Sequence, residues 1–202
     1  MTKVNRPAIS PIKSDKCIHE LIEDRVANHP HANALTFRNR TLTYQELNEK
    51  SNDLAARIVN QIDRGATVGI YMDRSIELIL SVLAIIKAGG VYVPLNTEDP
   101  LKRTEKVVEK ANVSFLLTKH ESAERIATIN QKTYNVEESK LGIGSDFPNL
   151  KTLTTTEGML SIYFTSGSTG EPKGVINHHK GWINRMNGMQ QSHQMKIGDA
   201  VL

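Results

Sequence analysis

TVGIYMDRSIELILSVLAIIKAGGVYVPL, residues 67–95, continued by NTEDPLKRTEKVVEKANVSFLLT, residues 96–118, decides the fold class. Short β-prone runs at 67–72, 91–94 and 114–118 alternate with helical patterns at 75–88 and 100–111. That order implies parallel strands joined by covering helices. The first of these helices is apolar nearly all round, with Ile76, Leu78, Ile79, Leu80, Val82, Leu83, Ile85 and Ile86, so it is expected to be buried. Gly89 and Gly90 end it. Asp99 reads as the N-cap of the second helix, with Pro100 at its first helical position. The chain is α/β, with a mostly parallel sheet and helices covering it.

Toward the N-terminus, Ile18, Leu21, Ile22 and Val26 recur at helical spacing and stop near Pro30, which restrains the residue before it from helix. Residues 34–37 and 41–44 form β-prone runs around Arg38-Asn39-Arg40 and predict a small hairpin. Thr43 and Glu46 have capping-box spacing for a helix running to about Gln61, with Leu47, Leu54 and Ile58 on its buried face. Residues 1–14, which hold Pro7 and Pro11 and show no periodicity, read as an extended arm, and residues 15–202 as the ordered part. Between 119 and 157 the pattern weakens to a short helix, one strand near 132–136 and a polar loop.

Composition narrows the function classes. With 202 residues the chain can bury a sizeable core. Its 25 Lys and Arg against 22 Asp and Glu give a net charge of +3, scattered along the sequence without a basic stripe, and it has one Trp, five Tyr and four Phe. Neither a phosphate-tracking surface nor a base-stacking platform is indicated, so no nucleic-acid partner is expected. The apolar runs are too short to span a bilayer and no membrane association is expected. Cys17 is the single cysteine, which excludes an internal disulfide and cysteine-based zinc clusters and fits a reducing, cytoplasmic setting.

The stretch richest in chemistry comes later. A β-prone run at 160–165 leads into Ser166-Gly167-Ser168-Thr169-Gly170-Glu171-Pro172-Lys173-Gly174, and Val175-Ile176 follow. Glycines let backbone N–H groups converge on an anion, hydroxyls add donors and Lys173 adds charge, a combination suited to polyphosphate. It matches neither the Walker pattern nor GxGxxG, and strands on both sides leave no helix N-terminus to help. By composition alone, Ser/Thr/Gly runs between strands are ordinarily turns.

YFTSGSTGEPKG, residues 163–174, resembles the phosphate-loop signature of the adenylate-forming (AMP-binding) superfamily. LTYQEL at 42–47 and IKAGGVYVPL at 86–95 resemble the first two core motifs of nonribosomal peptide synthetase adenylation domains, in the same order. CIHEL at 17–21 resembles the family's entry helix, and His179 with Asn184-Arg185 stands where similar proteins carry His and Asn-Arg. Where the family commonly reads Leu-Asp-Pro-x-Tyr-Pro, this chain has Leu95-Asn96-Thr97-Glu98-Asp99-Pro100, keeping Pro100 and Arg103.

The resemblance implies the N-terminal part of the large adenylate-forming domain, incomplete at its C-terminus. It implies ATP-dependent activation of a carboxylate, foremost an amino acid, as an acyl adenylate with pyrophosphate release, followed by thioester loading of a carrier protein. ATP, Mg2+ and the phosphopantetheine of a carrier domain come with that reading. It implies that Thr165, Ser166, Gly167, Ser168, Thr169, Gly170, Lys173 and Gly174 surround the β- and γ-phosphates, and that the family's catalytic lysine lies beyond residue 202. A chain carrying only the phosphate end is expected to be inactive alone. A fragment of an acyl- or aryl-CoA ligase, or a non-catalytic remnant of a synthetase, are the alternatives.

The remaining candidates read as structural. Thr43 and Glu46 are explained by capping. His29-Pro30-His31 and His178-His179 lack metal-ligand spacing, and no metal site is expected; His179 follows the loop closely enough to sit beside it. Cys17 reads as a small buried hydrophobe, and Trp182, Ile183, Met186 and Met189 as a core stripe.

Overall fold

The computed structural model describes residues 15–143, 147–166, 171–193 and 199–201; the arm expected at 1–14 lies outside them. Helix α1 (Ile18–Asn28) precedes a two-stranded antiparallel hairpin, β1 (Asn33–Phe37) and β2 (Arg40–Thr43). Thr43 caps α2 (Tyr44–Ile58): its hydroxyl accepts from the Glu46 N–H at 3.2 Å, while the Glu46 carboxylate accepts from the Thr43 N–H at 2.8 Å. Leu47, Leu54 and Ile58 are buried, as their spacing predicts.

The alternation follows as β3 (Thr67–Tyr71), α3 (Ile76–Lys87), β4 (Val91–Leu95), α4 (Leu101–Lys110) and β5 (Phe115–Thr118). Short α5 (His120–Ala123), β6 (Thr133–Asn135), β7 (Met159–Ser166), β8 (Pro172–His178) and α6 (His179–His193) complete it. One sheet has the order β6-β5-β3-β4-β7-β8; all its pairs are parallel except the antiparallel β7–β8 hairpin.

Side-chain alternation sorts the sheet into two faces. Val68, Ile70, Tyr92, Phe115 and Leu117 join α2 and α3 in one core, whereas Tyr71, Val93, Leu95 and Leu116 join Val107, Val108 and Ala111 of α4 in another. On the α4 side, a Cβ at Gly69 would stand 2.4 Å from Leu116 Cδ2, so glycine there admits the neighbouring strand's leucine. Gly89 ends α3 at φ +77°, and the Gly90 N–H closes the turn on the Ile85 carbonyl at 2.9 Å.

Two local expectations are corrected. Pro100, not Asp99, is the N-cap of α4, and Asp99 instead pairs with Arg103 at 2.8 Å, one turn along. Burial of α3 is nearly complete, but Ile79 faces outward. Among the described residues no helix is long and apolar enough to cross a membrane.

Candidate functional site

Strands β3, β4, β5 and β7 run parallel, so their carboxyl ends share one edge of the sheet. Ligands in open α/β sheets settle outside that edge, where successive connections leave on opposite faces. Here that point lies between β3 and β4, because α3 and α4 cover opposite faces. Past the two strand ends, the Thr97 hydroxyl donates to the Asp73 carboxylate, and the Tyr71 hydroxyl donates to the Thr97 carbonyl at 3.3 Å. Asp73 and Thr97 were not legible as a pair, since they lie 24 residues apart.

The hydroxyl- and glycine-rich segment leaves the same edge from β7. Thr165 stands opposite Lys173 in the hairpin and Ser166 opposite Pro172, so the ladder closes directly beneath the turn. Thr165 and Lys173 are exposed there. Gly167, Ser168, Thr169 and Gly170 lie outside the described residues. Gly174 stands opposite Phe164. A Cβ on it would come within 3.1 Å of Ile162 Cγ2 and Phe164 Cζ, so its lack of a side chain serves packing of the hairpin.

Charge gathers at the exit of the turn. Glu171 meets Lys106 Nζ and Lys110 Nζ, each at 2.7 Å, and these two ammonium groups hold its carboxyl down at about 2. Lys110 also approaches the Pro172 carbonyl at 3.4 Å. The α4 helix thereby reaches β8, a contact between residues more than 60 positions apart that no sequence spacing could signal.

His179 does not sit beside the turn. It begins α6 at the other end of β8, roughly 23 Å from Pro172 at the usual strand rise. Its Nδ1 accepts the Ile18 N–H at 3.3 Å, and its ring meets His19 edge-on at 6.1 Å between centroids. Burial pushes both imidazoles down to about 4, so they are neutral packing groups near pH 7. Arg185 lies over the Trp182 ring at 5.9 Å. The stripe expected in the core is half outside it: Ile183 is buried, while Met186 and Met189 are exposed.

A buried polar junction escaped the sequence reading. Lys87, 1% exposed, places Nζ 2.5 Å from both Asn48 Oδ1 and Asn52 Oδ1 and 3.5 Å from Glu23 Oε1. Burial pushes its ammonium down to about 8, while Glu23 opposes the shift. Both Asn side-chain amides donate onward to Asn149 Oδ1, at 2.8 and 3.0 Å. Cys17 is buried as expected; desolvation, reinforced by Glu20, pushes its thiol up to about 11 and removes any nucleophilic character near neutrality. Among the described residues, no group of three or more His, Cys, Asp or Glu could hold a metal ion.

The family model described as AMP-binding enzyme matches residues 22–202. Zwittermicin A synthase ZmaJ of Bacillus cereus is 34% identical over 188 residues, which is 92% of this chain and 35% of that protein. Tyrocidine synthase 1 of Brevibacillus parabrevis is 31% identical over 202 residues, covering 98% of this chain and 18% of that protein. The chain therefore spans between 18% and 35% of the length of these two relatives. The AMPPNP-bound form of the nonribosomal peptide synthetase FmoA3 shares the fold at a TM-score of 0.83 and 20% identity, over 96% of this chain and 20% of that one.

Proposed function

The chain belongs to the AMP-binding enzyme family, and from that membership we propose that it serves ATP-dependent activation of a carboxylic acid, foremost an amino acid. The carboxylate attacks the α-phosphorus of ATP, the bond to the bridging oxygen breaks, and pyrophosphate leaves as the acyl adenylate forms. Thioester loading of a carrier protein through its phosphopantetheine follows, in the cytoplasm. One observation carries this reading: the hairpin pairs Thr165 with Lys173 beneath the turn, at the carboxyl edge of the sheet.

Negative charge grows on the departing β- and γ-phosphates as that bond breaks, and fixed donors at the leaving position lower the barrier most. Lys173 supplies a cation and Thr165 a hydroxyl from opposite strands of one ladder, and Ser166, Gly167, Ser168, Thr169 and Gly170, which lie between them in the sequence, supply further donors to the phosphates. Gly174 contributes by letting the hairpin close on Phe164. Magnesium, arriving with the nucleotide, would supply further positive charge to the phosphates beside Thr165 and Lys173. The AMPPNP-bound form of FmoA3, which shares this fold, supports a nucleotide as the ligand.

The test is amino-acid-dependent ATP–pyrophosphate exchange by the synthetase that carries this chain. Lys173→Ala is expected to reduce exchange on the order of 100-fold, the usual cost of one lost charge-stabilising donor. Undiminished exchange would remove the turn from the chemistry.

A further inference from the structure

We propose that Glu171 is a positioning residue, whose carboxylate, clamped between Lys106 and Lys110, fixes the exit of the phosphate turn to helix α4. The proposal rests on the phosphate-binding reading above and adds to it two residues outside the motif, Lys106 and Lys110.

The entrance and exit of the turn are supported differently. Its entrance strand, β7, pairs with β8 as far as Ser166 and with β4 lower down, at Tyr92 and Ser161. Its exit, β8, is the last strand of the sheet among the described residues and pairs there with β7 alone. The α4 helix supplies the missing support. It is anchored in the sheet by buried Val107, Val108 and Ala111, and it presents Lys106 and Lys110 one turn apart, toward β8. Two like charges at that spacing repel. Glu171 lies between them, one oxygen to each ammonium at 2.7 Å, and converts repulsion into a two-point grip.

The three groups together retain one net positive charge two residues from Lys173, so the clamp holds Glu171 without making the site hostile to an anion. All three side chains are about half exposed, at 51%, 41% and 48%. Exposed ion pairs add little to global stability. The effect of this one is accordingly local: it fixes the segment from Glu171 onward, and with it Lys173, before nucleotide arrives. Preorganised donors act in catalysis because they need no reorganisation at the moment of reaction.

Hydrogen exchange of the full 202-residue chain reads that order directly. In Glu171→Gln, and equally in the double variant Lys106→Gln with Lys110→Gln, the amides of residues 171 and 173–175 exchange several-fold faster at an unchanged melting temperature. About 1 M salt brings the unmodified chain to the same behaviour by screening. The charge swap Glu171→Lys with Lys106→Glu and Lys110→Glu restores protection. In the synthetase, Glu171→Gln raises the KM for ATP several-fold more than it lowers kcat. Unaltered exchange in Glu171→Gln, or a swap that folds and fails to restore protection, overturns the clamp. The two readings separate through Lys173→Ala: full activity there, with a loosened segment in Glu171→Gln, removes phosphate binding and leaves the clamp, and the reverse pattern removes the clamp alone.

Discussion

Thr165 and Lys173 face each other across the last rungs of the β7–β8 hairpin, on the two sides of one turn at the carboxyl edge of the sheet. Antiparallel neighbours of this kind have Cβ atoms about 5 Å apart, close enough for a hydroxyl and an ammonium to address one phosphate group. Their effects on ATP use should therefore be coupled. Thr165→Ala and Lys173→Ala are each expected to raise the KM for ATP or lower kcat, and the double variant to lose less than the product of the two. A double-mutant cycle on ATP–pyrophosphate exchange measures this; strict multiplicativity would place the two side chains on separate tasks.

Gly174 separates packing from chemistry within the same motif. A methyl group there presses on Ile162 and Phe164 at 3.1 Å. Gly174→Ala is expected to destabilise the fold by about 1–3 kcal/mol through overpacking, whereas Thr165→Ala, at an exposed position, leaves the denaturation midpoint in place. Urea denaturation of the two variants compares them directly.

The β/α alternation, the capping box of Thr43 and Glu46 and the Gly89-Gly90 helix stop were legible because each is written in neighbouring residues. The same holds for the turn itself, whose hydroxyls, glycines and lysine are contiguous. What escaped is what tertiary contact assembles. Lys87 meets Asn48, Asn52 and Glu23 from two other helices, and Lys106 and Lys110 meet Glu171 from a helix that precedes it by three strands. His179 was misplaced for a related reason: proximity in sequence suggested proximity to the turn, but the seven-residue strand β8 carries it to the opposite end. Met186 and Met189 have helical spacing with Ile183 yet lie exposed, since spacing fixes a shared face and not what covers it.

The lysine junction has a stability consequence. Lys87→Met removes the cation and leaves two buried amide oxygens and the Glu23 carboxylate without it. Removing one member of a buried charged network typically costs about 3–5 kcal/mol. A loss of that size is expected in urea denaturation, and a Met variant as stable as the parent would show that hydrophobic packing compensates the ammonium.

The histidine pair predicts an acid dependence. His19 and His179 are held near 4 by burial, below the ordinary value of 6.5. The unfolded chain thus binds more protons than the folded one between about 6.5 and 4, so stability is full above that window and falls as the pH drops through it. His179→Gln should flatten part of the decline, read from melting temperatures between about pH 7 and pH 4. An equally steep decline in the variant would assign the acid sensitivity to other groups.

The most direct test of the central claim is phosphorus-31 NMR of MgATP titrated with the synthetase that carries this chain, compared with its Lys173→Ala variant. Contact between the Thr165–Lys173 turn and the terminal phosphates predicts that the β- and γ-phosphorus resonances shift and broaden with the parent enzyme and lose that response in the variant. Equal perturbation of those two resonances by both proteins would contradict it.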